Sequence, residues 1–522
     1  MESPVSKEQY RLQQEAFVSN HGGTTPQEVI LMLMPNICSI LLTSTTLAVF
    51  RRYSHRNVSV VLEFALSVIP NILCCTVFSE HVSSVCIVMM SITVLNIILL
   101  GSRGANLSSL TGVMRPVTSK RPFVTNFRAL TNIISTICIL AVDFRIFPRK
   151  FAKTEVFGYS LMDTGVGLFI LANALVAPEA RDFSSHRQAG FRETLTKNMK
   201  NCFRSCILLL ALGLGRCVAV EYSGYQKHVT EYGVHWNFFI TLAVVKLFTS
   251  MITSTVNSKY SLLSGIWILG MHEYIMSTKG LKQWVLGDGP RDDFISANRE
   301  GLISVPGYVG LYFVGIAVGR LIHSTYQNSH TKLNMNISVK LFGFEFQASY
   351  NESMLLCIKL SLISAQACIA TLICDSYFKI SRRLANAGYC MWIVTLTTTM
   401  LTFLLLAEVI LDIINYAAGE TYNENKMKKL RRSLRLNLKK YVDNEEENKE
   451  CIIKRSLEIF EAVNYNGLFF FLFSNIMTGL VNMLVYTLYT ERLAALLILT
   501  VYMAVSVSST LILYRLQIPI KL

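Results

Sequence analysis

Charge is scarce in this chain. Only 16% of its 522 residues are Asp, Glu, Lys or Arg, against about 25% in a soluble domain. The alternation over about 10 residues that marks a transmembrane β-strand is missing, which excludes an outer-membrane-type barrel. No C-x-x-C pair and no zinc-type spacing occurs among the 13 cysteines. A disulfide framework and a structural metal are therefore not expected. The chain has no G-x-S-x-G, no Walker loop and no Rossmann fingerprint, so a nucleophile elbow, a P-loop and a dinucleotide fold are excluded. Met1–Glu28 is polar and lacks an apolar leader core, so no cleavable signal peptide is expected. No internal repeat is visible, which weighs against a transporter, since transporters often carry repeats.

What the chain does have is apolar length. Hydrophobic residues make up 52% of it, and mean hydropathy is +0.41. Runs long enough to cross a hydrocarbon core of about 30 Å recur from end to end, about thirteen by that criterion. They lie near Val29–Phe50, Val58–Phe78, Val82–Leu100, Leu130–Phe144, Gly158–Ala177, Cys202–Val220 and Trp236–Thr255. The rest lie near Leu262–Met276, Ile303–Leu321, Met354–Cys374, Leu384–Ile414, Leu468–Leu488 and Leu493–Leu513. The expectation is one all-α, polytopic membrane domain spanning the whole chain. The formal net charge of +15 suits loops anchored at anionic headgroups. With no soluble basic domain to hold it, nucleic acid is not an expected partner.

Loop charge sets orientation. Taken alternately, one set of loops holds Arg51, Arg52 and Arg56, then Arg103–Arg121, then Arg181–Lys197, then a dense cluster at Lys426–Lys440. This places the N-terminus in the lumen and the C-terminus in the cytosol. The sequons at Asn336 and Asn351 then fall in a cytosolic loop, so either they go unused or the orientation differs there. Within Gly419–Asn466, Leu430, Leu434, Leu438 and Tyr441 recur at near-helical spacing beside many bases. A basic amphipathic helix on the cytosolic leaflet competes there with a solvated linker.

The exception to the charge rule is Ala141–Gly167, AVDFRIFPRKFAKTEVFGYSLMDTGVG. It holds Asp143, Glu155 and Asp163 with Arg145, Arg149, Lys150 and Lys153, between two apolar runs. Ionisable groups near membrane depth are expensive, so they mark function by default. The competing reading is a charged headgroup-level loop, with Pro148 stopping any helix. A second constellation is GYQKHVTEYGVHWNFF, with His228, Glu231, Tyr232, His235 and Asn237 before a span. His is a natural base near neutral pH. The spacing is not H-E-x-x-H, so no metal is expected, and Gly233 would break a shared helical face. ANREG offers Asn298 as a helix cap and Arg299 as a phosphate ligand. Arg382, Arg383 and Asn386 open another span. Asn475, Thr478, Gly479 and Asn482 line one helical face, a pattern that more often packs helices than binds ligand. Glu63, Lys246, Lys359, Glu408 and Asp412 sit inside spans and are expected to pair with one another.

These segments carry a resemblance. The Ala141–Gly167 run resembles the signature of the phosphatidylinositol-glycan class W family, the inositol acyltransferases of GPI-anchor synthesis, which includes the fungal GPI-anchored wall transfer proteins. EAFVSN (Glu15–Asn20), GYQKHVTEYGVHWNFF, ANREG, RRLANAGYCMWIV and NGLFFFLFSNIMTGLVNML extend it, in order, over nearly the whole chain. The resemblance implies an endoplasmic reticulum enzyme that moves a fatty acyl group, usually palmitoyl, from acyl-CoA to the inositol 2-hydroxyl of glucosaminyl-phosphatidylinositol. Acyl-CoA is then a co-substrate, and no resident cofactor is expected.

The chemistry asks for two things. A sugar-like hydroxyl needs a base within hydrogen-bond reach, and a thioester carbonyl needs donors aimed at its developing oxyanion. Asp143 is the expected base, paired across the loop with Lys153 as oxyanion donor; His235 is the alternative base. Arg149, Arg216 and Arg299 are candidates for phosphate contacts. Glu155, Asp163, Tyr232, Asn237, Asn298 and Arg383 are further candidates for binding substrate. A lipid or ion transporter is the alternative from another class.

Overall fold

The computed structural model describes residues 7–19, 21–50, 55–102, 121–181, 191–223, 229–278, 280–287, 289–329, 335–341, 344–350, 352–434 and 455–520. Each expected apolar run falls on a helix. Ten of the described helical segments are long and apolar enough to cross a membrane, which is fewer than the thirteen expected from run length. The difference has a physical cause in two places. Thr164–Ala174 is a helix of 11 residues and Ser261–Met276 one of 16. The polar chain around Asp163 and at Ser258–Tyr260 ends each before it reaches spanning length. The Cys202–Val220 run lies inside a longer helix, Phe191–Ser223.

The buried centre is built from four helices: Pro26–Val49, Pro122–Ala141, Arg299–Ser329 and Ala387–Leu434. Their apolar side chains merge into one large cluster with Thr164–Ala174. Peripheral spans such as Val82–Ser102 and Glu352–Phe378 expose Ile, Leu and Val outward. Lipid solvates those faces as well as protein would.

The all-α architecture carries one short antiparallel ribbon among the described residues. Met335–Leu341 pairs with Phe344–Tyr350 in the register Met335 to Tyr350. Asn336 lies on its first strand, and Asn351 lies outside the described residues. Ala387–Leu434 is a single helix of 48 residues. The amphipathic pattern beyond it, including Leu438 and Tyr441, is outside the described residues, as is His228.

Among the described residues, Glu408 and Asp412 pair with an arginine and not with the lysines inside spans that the sequence suggested. Asp412 and Glu408 both face Arg455, which precedes the Glu458–Tyr465 helix. Glu408 also accepts the Phe123 N–H at 3.1 Å. Glu63 accepts the Ile459 N–H at 3.1 Å, and Lys359 donates to Thr325 at 3.2 Å. A carboxylate at a helix start satisfies an orphan N–H and meets the positive end of the helix dipole. Sequence spacing cannot reveal such a partner.

Candidate active site

The Pro122–Ala141 helix ends where Val142 and Asp143 begin a turn, with Asp143 N–H donating to Leu140 O at 3.2 Å. Pro148 then blocks further helix, and a short 3-10 turn follows at Arg149–Phe151. Three aromatic side chains, Phe144, Phe147 and Phe151, anchor this loop in the core. The Arg149 guanidinium clamps it by donating to the carbonyls of Phe144 (3.1 Å) and Phe147 (2.9 and 3.1 Å), and it stacks over the Phe17 ring at 4.0 Å. Burial pulls the Arg149 pKa down to about 10 despite the nearby Asp143. The expected phosphate ligand is therefore spent on holding the loop.

The far end of the loop is closed by Asp163. Its carboxylate accepts the Thr154 N–H (3.2 and 3.3 Å) and hydroxyl (2.7 Å), and the Arg382 Nε–H at 2.8 Å. Gly158 has φ +130°, and a Cβ there would lie 2.6 Å from Gly22 O, so glycine is required for this approach. The result is a rigid platform that presents Lys153 and Glu155 one residue either side of Thr154.

These residues meet at a cavity of about 290 Å³. Its apolar lining includes Ile134, Ile139 and Val142 with Phe169, Phe238 and Phe471. Phe169 packs edge-on to Phe238 and Phe471, which are tilted to each other, with centroids 5.1 to 5.6 Å apart. Its polar lining includes Asp143, Lys153, Glu155, Arg216, Glu231, Tyr232, Asn237, Arg382 and Arg383. Asn475 also lines it, so that face of the Gly467–Leu484 helix does more than pack.

Asp143 and Lys153 share this cavity but do not form the expected ion pair. Lys153 Nζ donates to both Glu231 oxygens at 2.8 Å. Arg382 reaches the same carboxylate at 3.2 Å and joins it to Asp163. Asp143 instead accepts from Asn482 Nδ2 at 2.7 Å. Burial would raise the Glu231 pKa, but Lys153 and Arg382 overcome it and hold the carboxyl at about 2. For Asp163, burial wins and pushes the carboxyl up, Arg382 and Thr154 offsetting only part. Lys153 and Arg382 thus offset the desolvation of Glu231, while Asp163 still bears part of its own. Glu231 sits 78 residues from Lys153 in sequence, and this role was not legible there. Its one signal was membership of the His228, Glu231, His235 cluster.

Glu231 and His235 do not act as a unit. The Val229–Tyr232 helix stops at Gly233, whose φ is +116° and whose added Cβ would lie 2.5 Å from Asn298 Cα. Beyond it His235 is exposed and its side chain does not line the cavity. Its backbone N–H donates to Asn298 Oδ1 at 2.8 Å. The expected alternative base is thus turned away, and Asn298 is spent on that N–H and on Phe294 O instead of capping the next helix. Arg299 is completely buried and donates to the carbonyls of Gly287 and Gly289, so it too is structural and not a free phosphate ligand. Asn237 caps Phe238–Thr255 through the N–H groups of Phe239 (3.0 Å) and Ile240 (3.2 Å) while lining the cavity. Tyr232, Arg216 and Arg383 line it as well; Arg216 is exposed, and Arg383 pairs with buried Glu300 at 3.2 Å.

These features define a multi-pass helical membrane protein whose cavity is lined by both ionised and aromatic side chains. The family follows from comparison: the GWT1 family model matches residues 10–513, and the chain belongs to that family. It is 31% identical to the glucosaminyl-phosphatidylinositol-acyltransferase PIGW of Bos taurus, over 97% of this chain and 98% of that protein. The Homo sapiens protein of the same name gives the same identity and shares. The GPI-anchored wall transfer protein 1 of Saccharomyces cerevisiae is 32% identical over 77% of this chain and 75% of its own.

Proposed function

We propose that this protein is the membrane acyltransferase that places a fatty acyl group on the inositol 2-hydroxyl of glucosaminyl-phosphatidylinositol during GPI-anchor assembly. Acyl-CoA, with palmitoyl as the group moved, is the donor, and the endoplasmic reticulum is the site. One observation carries this reading: Asp143 and Lys153 line a single cavity together with apolar and aromatic side chains of the helices. An amphiphile with a sugar head and an acyl tail fits that mixed lining. The full-length relatives named as glucosaminyl-phosphatidylinositol acyltransferases support it.

In the reaction, the Asp143 carboxylate takes the proton of the inositol hydroxyl as its oxygen attacks the thioester carbonyl. The Lys153 ammonium, fixed by Glu231, offers a donor to the oxyanion that forms. Collapse expels the CoA thiolate, which receives the proton from Asp143. Glu231 is unsuited as the base itself, because a carboxyl held at about 2 is too weakly basic near neutral pH. Arg216 and Arg383 supply positive charge for the phosphates. The N-terminus and the Asp143–Gly158 loop face the lumen, and Lys426–Lys440 the cytosol, following the alternation of basic loops.

Incubating the purified protein with labelled palmitoyl-CoA and glucosaminyl-phosphatidylinositol tests this directly. Acylated lipid is the expected product. Movement of the lipid across vesicles without modification would make the protein a transporter instead. Single cysteines placed in the loops of a thiol-free variant test the topology on sealed microsomes. Labelling of the Asp143–Gly158 loop by an impermeant reagent without permeabilisation would overturn the orientation.

A further inference from the structure

Most of the charge in the cavity is already committed. Glu231 accepts from Lys153 and Arg382, and Asp143 accepts from Asn482. Glu155 differs. It lines the cavity, its side chain is 31% exposed, and no hydrogen bond from a described residue reaches its carboxylate. Its charged neighbour is Arg383, with Nη1 to Oε1 at 3.6 Å, beyond hydrogen-bond length. Arg383 is held from behind by Glu300 at 3.2 Å and donates to the Glu155 backbone carbonyl at 3.1 Å. The Glu155 backbone is fixed in turn, its N–H donating to His21 O at 3.1 Å. A rigid backbone therefore presents a carboxylate with open acceptor positions beside a guanidinium on the same cavity wall.

A carboxylate accepts about four hydrogen bonds and favours cationic donors. A half-buried one that lies 3.6 Å from a guanidinium but accepts no hydrogen bond from a described residue, in a cavity that must hold a lipid headgroup, is complementary to an ammonium. The proposed acceptor has one: the free amine of its glucosamine, carried on the same headgroup as a phosphodiester. We propose that Glu155 is a specificity residue that binds the glucosamine ammonium, while the neighbouring Arg383 faces the phosphodiester, so that the site selects a zwitterionic headgroup. This rests on the acyltransferase reading above.

The test uses the full-length protein, with Glu155→Gln, which keeps the shape and removes the charge. KM and kcat are measured for glucosaminyl-phosphatidylinositol, together with the inhibition constant of its N-acetylated form. The expected result is a KM raised about 10- to 100-fold, the range for losing one charged hydrogen bond, with kcat within about 3-fold and an unchanged inhibition constant. Glu155→Asp should recover part of the KM. A variant that weakens both lipids equally, or neither, overturns the inference. Wild-type protein that acylates neither lipid overturns the acyltransferase reading, and this inference with it.

Discussion

Glu231→Gln removes one negative charge from the centre of a four-membered ion network. The carboxyl is held at about 2 against an ordinary 4.5, and at about 1.4 kcal/mol for each tenfold change in proton affinity this amounts to about 3 kcal/mol. The pKa is depressed in the folded state. The contribution is therefore complete above about 4.5 and lost only as pH falls towards about 2. The variant should lose the same stability at pH of about 6 and about 8. It leaves Lys153 and Arg382 facing each other across a neutral amide, so Lys153 also loses its fixed position. A double-mutant cycle with Lys153→Met, read by thermal unfolding in detergent and by turnover per folded molecule, should give a coupling of about 1–3 kcal/mol. Coupling below about 0.5 kcal/mol, or a stability loss that grows between those two pH values, would refute the network as described.

Other variants separate holding from chemistry. His235→Ala should leave turnover within about 3-fold, because only the backbone of His235 is engaged; a loss of about 10²-fold or more would restore it as a base. Arg299→Met should lower stability by about 3 kcal/mol or more, since two carbonyls lose a buried charged donor, and turnover per folded molecule should stay near wild type. A raised KM for the lipid at normal stability would return Arg299 to phosphate binding.

The helical class and the membrane-spanning runs were legible because apolar length is a local property of sequence. Count was less so. Thr164–Ala174 reads as part of a spanning run, yet polar anchoring at Asp163 shortens it. The cavity loop was legible for a related reason, since clustered charge between apolar runs needs no tertiary knowledge to stand out. What stayed hidden were partners distant in sequence. Lys153 and Asp143 are ten residues apart and suggested a pair, but the fold delivers Glu231 to one and Asn482 to the other. Arg149 and Arg299 show the opposite failure. A guanidinium suits a phosphate and a cluster of backbone carbonyls equally well, and only packing decides between them. Asn475 was read as a packing residue because small and amide side chains at helical spacing are ambiguous in the same way.

The account depends most on Asp143 and Lys153 performing chemistry and not merely supporting the loop. Turnover of glucosaminyl-phosphatidylinositol, divided by the folded fraction from thermal unfolding, should be measured for Asp143→Asn and Lys153→Ala. The expected losses are about 10²–10⁴-fold for the base and about 10²–10³-fold for the oxyanion donor, with acyl-CoA binding retained. Turnover per folded molecule within a few-fold of wild type for both variants would contradict the proposed chemistry.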